Sequence, residues 1–574
     1  MKFGDIINKI GSLPVIRHAV FWAFFATLVF ANVYLFFTEP LPLIVRLTNL
    51  ILPPSMVLWL LTYRRTPAST YLWLLPLVAL NAFQIVILYL FGQSPIAVDM
   101  FLNVVTTNPT EANELLYGLL VPLLVLAILY VGAIGTAIYL VVTKKTIDVD
   151  YLRQRRRFSH VGAAVGLILL AGCYINDHDF EIEDDIFPLN VTYNLCSAVV
   201  RFHEVREYPE TSANFKFNAK PSHTGDQKEV YVLVIGETLR AANFHAIGYE
   251  RNTTPCIDAL VQNGAYVFKD ALTQCNTTHK SVPMILSSVS AADFNEIKKQ
   301  KSMLQAFREA GFTTAFFSNQ DRNRSYIEFF SREAHRAKFL KDDYPIGTNV
   351  SDSCLIEELK NELATDTASR RRLIVLHMYG SHFSYRDRYP ADEAYFTPDA
   401  APGASPKYRT ELVNAFDNTI RFADKFVGQV ADVLKQLNCA STMVFLSDHG
   451  EDLFDDSRNR FLHASPWPTY YQLHVPLVVW MSPQYQALYP DVPAALAENC
   501  QKPVGMSLVV FHSMLHMAGI KTPYMKEKHA VTSGNFEVTK RMYLDDHNEG
   551  HTLDDIPLNK LDIEAMKQHG VTYP

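Results

Sequence analysis

The chain has 574 residues, 49% of them apolar and 19% charged, with a formal net charge of -7. That length exceeds what one hydrophobic core usually organises, so more than one domain is expected. The small net charge is neutral on nucleic acid, but no basic patch stands out in the second half, and a nucleic-acid partner is not expected. No internal repeat or low-complexity tract is visible.

The apolar excess lies before about residue 176. A helix crossing the ~30 Å hydrocarbon layer needs roughly 20 apolar residues. Five stretches are read as spans: Val15 to Phe37, Leu43 to Leu61, Tyr71 to Phe91, Leu116 to Val142 and His160 to Ile175. Arg46 and Pro53-Pro54 interrupt the second, and the fifth is short. Lys2, Lys9 and Arg17 precede the first span, and Arg64 and Arg65 lie between the second and third. Lys144, Lys145, Arg153, Arg155, Arg156 and Arg157 lie between the fourth and fifth, whereas loops 38–42 and 92–114 carry no Lys or Arg. The basic segments belong in the cytoplasm, so an odd number of spans leaves the C-terminal half outside. With no small-residue cleavage pattern after the first apolar run, an uncleaved anchor is expected.

Residues 177–228 read as a connector, with an acidic run at Glu181 to Asp185 and a helix expected over Asn190 to Arg206. Tyr193, Leu195, Val199, Val200 and Phe202 give that helix an apolar face suited either to a membrane surface or to packing on a domain. From Glu229 the pattern becomes short apolar runs alternating with amphipathic stretches. The runs are Val230 to Ile235, Thr313 to Phe317, Leu373 to Leu376, Thr442 to Leu446 and Val475 to Trp480. Strands buried on both faces read this way, so a mainly parallel α/β sheet is expected over residues 229–525. Residues 526–574 read as a charged, solvated extension carrying Asp545, Asp546, His547 and His551, with a role in covering the site left open. Six of the seven cysteines follow the last span, an even number that permits disulfides without fixing a connectivity.

Polar groups follow four of the runs: Gly236-Glu237-Thr238, Ser318-Asn319, His377 with Gly380-Ser381-His382, and Ser447-Asp448-His449. Ligands of open α/β sheets bind outside the carboxyl ends of the strands, so these groups converge on one rim. Glu237, Asp448 and His449 then form a mixed oxygen and nitrogen set suited to zinc or another divalent ion. A lone Asp-His pair is ordinarily a satisfied loop pair; repetition at four strand ends changes that. The segment Cys275-Asn276-Thr277-Thr278-His279-Lys280-Ser281-Val282-Pro283 supplies hydroxyls before a helix-like run. There a helix N-terminus and a nearby cation would help a hydroxyl ionise. Ordinary N-capping by Thr or Ser is the simpler alternative.

These residues resemble the membrane-bound phosphoethanolamine transferases of the alkaline phosphatase and sulfatase superfamily, which modify lipid A or the lipopolysaccharide core of Gram-negative bacteria. The resemblance runs across nearly the whole chain. It rests on the five spans, the segment Asp99 to Thr107 with Glu111 and Glu114, GETLR (Gly236 to Arg240) and YERNTTP (Tyr249 to Pro255). It also rests on the Thr-x-x-SVP segment, LHMYGSH (Leu376 to His382) with Arg388-Tyr389-Pro390, SDHGE (Ser447 to Glu451) and Leu462-His463.

The resemblance implies that Thr278 accepts the phosphoethanolamine, with Thr277 as the fallback, and that Glu237, Thr278, Asp448 and His449 hold one zinc ion. It implies that His382 and His463 act in catalysis, lining the phosphoryl region or a second metal, with Glu451 and Asn319 as weaker substrate neighbours. Asn103 and Glu111 would face the lipid substrate. The implied protein sits in the bacterial inner membrane with its catalytic domain in the periplasm. It moves phosphoethanolamine from phosphatidylethanolamine to lipid A or core through a phosphothreonine-type intermediate. Two departures concern the nucleophile segment: Met284 stands where the family often has a second cysteine, and the residues after Cys275 differ from the common pattern. A phosphoglycerol transferase would use the same ligand set. A sulfatase-type hydrolase would need Cys or Ser in C/S-x-P-x-R, which Cys275-Asn276-Thr277 does not supply. A scaffold without activity would be expected to have lost ligands, and Glu237, Asp448 and His449 are all present.

Overall fold

The computed structural model describes residues 14–39, 41–92, 94–106, 119–176, 180–223, 225–365, 370–556 and 558–573. The chain forms two compact units, one of Met1–Phe101 with Leu119–Val199, the other of Leu102–Gly118 with Val200–Pro574.

In the first unit, Pro14–Thr38, Leu43–Tyr63, Leu120–Val142 and Val149–Asn176 are each long and apolar enough to cross a membrane. The third expected span differs. It is a pair of helices, Pro67–Trp73 and Leu75–Phe91, bent by 69° at Leu74. Pro76, in the first turn of the second piece, has no N–H for the carbonyl of Leu72, and its ring crowds the preceding turn. The fifth span is longer than expected, because its helix starts at Val149 and takes in the basic residues Arg153 to Arg157. Pro53 and Pro54 stay inside an unbroken helix. That helix approaches Val149–Asn176 closely, since a Cβ at Gly166 would lie 2.7 Å from the Leu52 Cβ and one at Gly162 only 2.2 Å from the Ser55 hydroxyl. Small residues permit such contact where water does not drive helices together. Asn49 accepts from the Phe187 N–H at 2.8 Å and donates to the Asp185 carbonyl at 2.6 Å, so its amide is satisfied within the unit.

The second unit is built on seven strands: β1 (Glu229–Gly236), β2 (Tyr266–Phe268), β3 (Thr313–Ser318), β4 (Arg336–Phe339), β5 (Arg371–His377), β6 (Ala440–Ser447) and β7 (Leu477–Met481). Their order is β2-β7-β6-β1-β5-β3-β4. All neighbouring pairs are parallel except those of β7, which runs antiparallel to both its partners. β1 is buried along its whole length, as a central strand with cores on both faces must be. The register levels the carboxyl ends: Gly236 pairs with Ser447, Ile235 with His377, and His377 with Ser318. The residues after these strands therefore leave the sheet on one rim.

Two elements differ from expectation. The connector helix runs Leu189–Thr211, and the boundary between the units falls within it. The residues after 525 are not a solvated extension. They form a hairpin, β8 (Met542–Leu544) and β9 (Gly550–Thr552), and a helix, Lys560–Gln568. Tyr543, Leu544 and Met566 are buried, and Asp562 accepts both guanidinium nitrogens of Arg458 at 2.6 and 2.8 Å. The apolar residues at alternate positions of a short strand and along one helix face were too few to stand out among the tail's charges.

Candidate metal centre and nucleophile

Each strand end delivers one part of the site. After β1, Glu237 is 1% exposed, and the next residue, Thr238, donates its hydroxyl to Glu237 Oε1 at 2.8 Å. After β6, Asp448 Oδ1 accepts the backbone N–H groups of Thr238 at 3.1 Å and His449 at 2.8 Å. The Asp448 Oδ2 atom is buried with no hydrogen-bond partner among the described residues. His449 faces the Gly450 carbonyl with Nδ1 at 3.0 Å, which puts the proton on Nδ1 and leaves the Nε2 lone pair turned to the carboxylates. Nε2 lies 3.5 Å from Glu237 Oε1 and 3.4 Å from Asp448 Oδ2.

The hydroxyl comes from the first residue of helix Thr278–Leu286. Thr278 Oγ1 lies 3.1 and 3.3 Å from the two Glu237 oxygens and 3.1 Å from His449 Nε2. Thr277, the fallback, makes no hydrogen bond to these groups: its hydroxyl is buried without a hydrogen-bond partner among the described residues. Thr277 precedes the helix in extended backbone and Thr278 is its first helical residue, so the turn into the helix distinguishes two threonines that adjacency in sequence could not.

Ligand atoms of Glu237, Asp448 and His449 lie within 4.8 Å of one another. Burial and the adjacent Asp448 hold Glu237 well above the usual carboxylate range, and burial pulls His449 down to about 4. A dry pocket thus presents crowded carboxylate oxygens, an imidazole lone pair and an unpartnered oxygen. A divalent cation fits this donor set, because its charge offsets the repulsion and its coordination satisfies the orphaned atom.

The remaining residues divide. His463 stands over His449 with ring centroids 4.2 Å apart, and its Nδ1 is 3.4 Å from Glu451 Oε2. Burial lowers His463 to about 4 and pushes the Glu451 carboxyl up to about 8. His382 stacks on Tyr379 at 5.0 Å, and burial, with the charge of Arg388, lowers it well below the ordinary histidine value. Asn319 sits behind the rim instead of facing it. It is fully buried and donates to the Val350 carbonyl and Asp352, both at 2.8 Å. Asn103 is half-buried on helix Val98–Thr106, and no hydrogen bond links it to the cluster among the described residues. Glu111 lies outside the described residues.

Two contributors escaped the sequence reading, Gln320 and Asp352, and a third, Gly380, was read only as part of the group after His377. Gln320 donates to Glu237 Oε2 at 3.2 Å and to the Met378 carbonyl at 2.8 Å; it follows β3 by two residues, where the strand-end rule could have found it. Asp352 accepts the N–H groups of Tyr379 at 2.8 Å and Gly380 at 2.9 Å, so it orders the loop leading to His382. Gly380 has φ +54°, and a Cβ there would come within 2.6 Å of the Glu237 carbonyl. A side chain at that position would push the Glu237 backbone away.

The chain matches the family model for sulfatase over residues 229–520, half its length. It is 30% identical over 278 residues to the Kdo(2)-lipid A phosphoethanolamine 7''-transferase of Salmonella typhimurium, a match covering 47% of each chain. The integral membrane lipooligosaccharide phosphoethanolamine transferase A of Neisseria meningitidis shares the fold, with a TM-score of 0.68, 20% identity and coverage of 88% of this chain and 98% of that one. The C-terminal periplasmic domain of EptC from Escherichia coli, in a crystal structure complexed with Zn, aligns with a TM-score of 0.53 and 24% identity, covering 59% of this chain and 96% of that one. The fold thus joins apolar N-terminal helices to a sulfatase-like domain with a mainly parallel sheet. By the match across half its length, this chain belongs to the sulfatase family.

Proposed function

We propose that this protein is a phosphoethanolamine transferase of the bacterial inner membrane, with its catalytic domain in the periplasm, that modifies lipid A or the lipopolysaccharide core. The observation that carries this is the Thr278 hydroxyl at 3.1 Å from both Glu237 Oε1 and His449 Nε2. A hydroxyl beside a buried carboxyl group and a neutral imidazole is placed for nucleophilic chemistry on phosphorus. Sulfatase-type chemistry would call for a different nucleophile motif, and the named relative acts on lipid A.

Glu237, Asp448, His449 and Thr278 would hold a zinc ion, which supplies positive charge that favours the ionised hydroxyl and offsets charge at phosphorus. In the first step Thr278 Oγ1 bonds to the phosphorus of phosphatidylethanolamine, the bond from phosphorus to the diacylglycerol oxygen breaks, and diacylglycerol leaves with a proton. In the second, an acceptor oxygen bonds to the same phosphorus, the bond to Oγ1 breaks, and the threonine regains its proton. His463 and His382, held neutral by burial, are suited to accept a proton from the attacking hydroxyl or the acceptor and then to pass that proton to the leaving oxygen. Both substrates are lipids, so apolar spans confine enzyme and substrates to one surface and raise their effective concentration.

The test is mass spectrometry of lipid A and core from cells making the natural protein or Thr278→Ala. A gain of one phosphoethanolamine with the first and none with the second is expected. The same gain with both removes Thr278 from its role, and no gain with the natural protein overturns the transferase reading.

A further inference from the structure

We infer that Tyr543 and Lys280 are positioning residues for the transfer, through which the C-terminal hairpin β8–β9 holds the nucleophile segment at the ligand cluster. This rests on Thr278 being the acceptor of the phosphoethanolamine.

Residues 273–277 join a two-residue strand, Ala271–Leu272, to the helix that starts at Thr278. One side of this segment is tied to the rim. The hydroxyls of Thr273 and Ser281 both donate to the Asp448 carbonyl at 2.7 Å, and Asn276 Nδ2 donates to the Ser465 carbonyl at 2.8 Å and Gln472 Oε1 at 2.6 Å. The other side is met by the hairpin. The Leu544 N–H donates to the Gln274 carbonyl at 2.7 Å, the Tyr543 hydroxyl to Asn276 Oδ1 at 3.2 Å, and Lys280 Nζ to the Asp545 carbonyl at 2.8 Å.

The two side chains are placed where their chemistry counts. Asn276 is 4% exposed and spends both amide hydrogens on the rim, so its oxygen needs a donor, which the Tyr543 hydroxyl is. Lys280 is only 3% exposed, a costly site for an ammonium group unless its hydrogens are engaged. It lies two residues after Thr278, in the first turn of the same helix, so the contact with Asp545 fixes that turn's rotation. The hairpin is itself anchored: Arg541 pairs with Asp270, Arg201 donates to the Asp546 carbonyl, and Gly550 packs so tightly that a Cβ would lie 2.2 Å from the Ala291 carbonyl. The segment is gripped from two sides by elements that each lie more than 150 residues from it in sequence. A shift of about 1 Å at a reacting group costs on the order of 100-fold in rate, which is the scale this grip controls.

The experiment uses the full chain in detergent with Tyr543→Phe, Lys280→Met, the double variant and Lys280→Arg. Backbone hydrogen exchange over residues 273–281 is expected to rise about 10-fold in the double variant, while the central strands keep their protection. With phosphatidylethanolamine and a lipid A acceptor, kcat is expected to fall roughly 10- to 100-fold with KM changed less than about two-fold, and Lys280→Arg to recover most of the loss. Unchanged exchange in the segment overturns the inference, as does a lowered melting temperature with kcat per folded molecule intact. If the natural protein transfers nothing, the transferase reading fails, while the exchange measurement still decides whether the hairpin holds the segment.

Discussion

Valine, leucine and isoleucine supply the apolar stretches of both units, yet they meet opposite surroundings. In helix Leu120–Val142, Val121 is 71%, Ile128 73% and Leu129 56% exposed, whereas Val230 to Ile235 of β1 are all 0% exposed. Fully burying one such side chain stabilises by about 1.5–3 kcal/mol in water, so a water-soluble domain would not leave a whole helix of them outside. The difference teaches that hydrophobicity alone does not place a residue. The first unit satisfies its backbone within helices and turns its apolar side chains to hydrocarbon. The second turns the same residue types inward, and the resulting dry interior is what makes its buried histidines and carboxylates chemically unusual.

The largest contrast should come from a carboxylate introduced on each side. Val232→Asp places an unpaired charge at the centre of the sheet and is expected to cost at least about 3 kcal/mol, removing protease resistance from the second unit. Ile128→Asp is expected to cost about 2.5–3.5 kcal/mol in membrane insertion instead, with the second unit still protease-resistant. Loss of resistance in both would break the comparison. Truncation sharpens it further: Leu233→Ala should lower the stability of the second unit by about 2–5 kcal/mol, against less than about 1 kcal/mol for Leu129→Ala, measured by thermal unfolding in detergent.

The smallest expected effect tests the dry interior itself. His474 is 1% exposed, faces the Lys269 carbonyl with Nε2 at 2.9 Å and the Tyr470 hydroxyl with Nδ1 at 2.7 Å, and burial lowers it to about 4. Because its folded value lies below the ordinary 6.5, the unfolded chain binds the extra proton between those values. Its contribution is fully present above about pH 6.5 and is lost as pH falls toward 4. At pH 5 the loss amounts to about 2 kcal/mol. His474→Gln should therefore show a shallower fall in melting temperature between pH 7 and 5 than the natural protein. A steeper or equal fall would show that this histidine charges without penalty.

Much of the site was legible because parallel strands buried on both faces read as continuous apolar runs, and the polar residues that end them must emerge on one rim. Glu237, Asp448 and His449 were found that way, and the register of Gly236 with Ser447 places them side by side. Asn319 followed the same rule yet turned inward, since one peptide's difference along an exiting chain reverses which side chain faces the rim; its neighbour Gln320 reaches Glu237 instead. Asp352 follows no strand of the rim and acts on the backbone of Tyr379 and Gly380, a contact with no local signature. Hydropathy located the apolar stretches but not the bend at Leu74, because composition carries no direction.

The amino-acid order by itself determined two solvents for one chain and a set of metal-compatible side chains at strand ends, because periodicity and hydropathy are local properties. Tertiary structure decided which threonine meets those side chains, which polar residues buttress them, and that the hairpin Met542–Thr552 hydrogen-bonds to the segment on either side of Thr278. Those outcomes depend on helix rotation and on hydrogen bonds between segments far apart in sequence, and no local pattern encodes the distance between them.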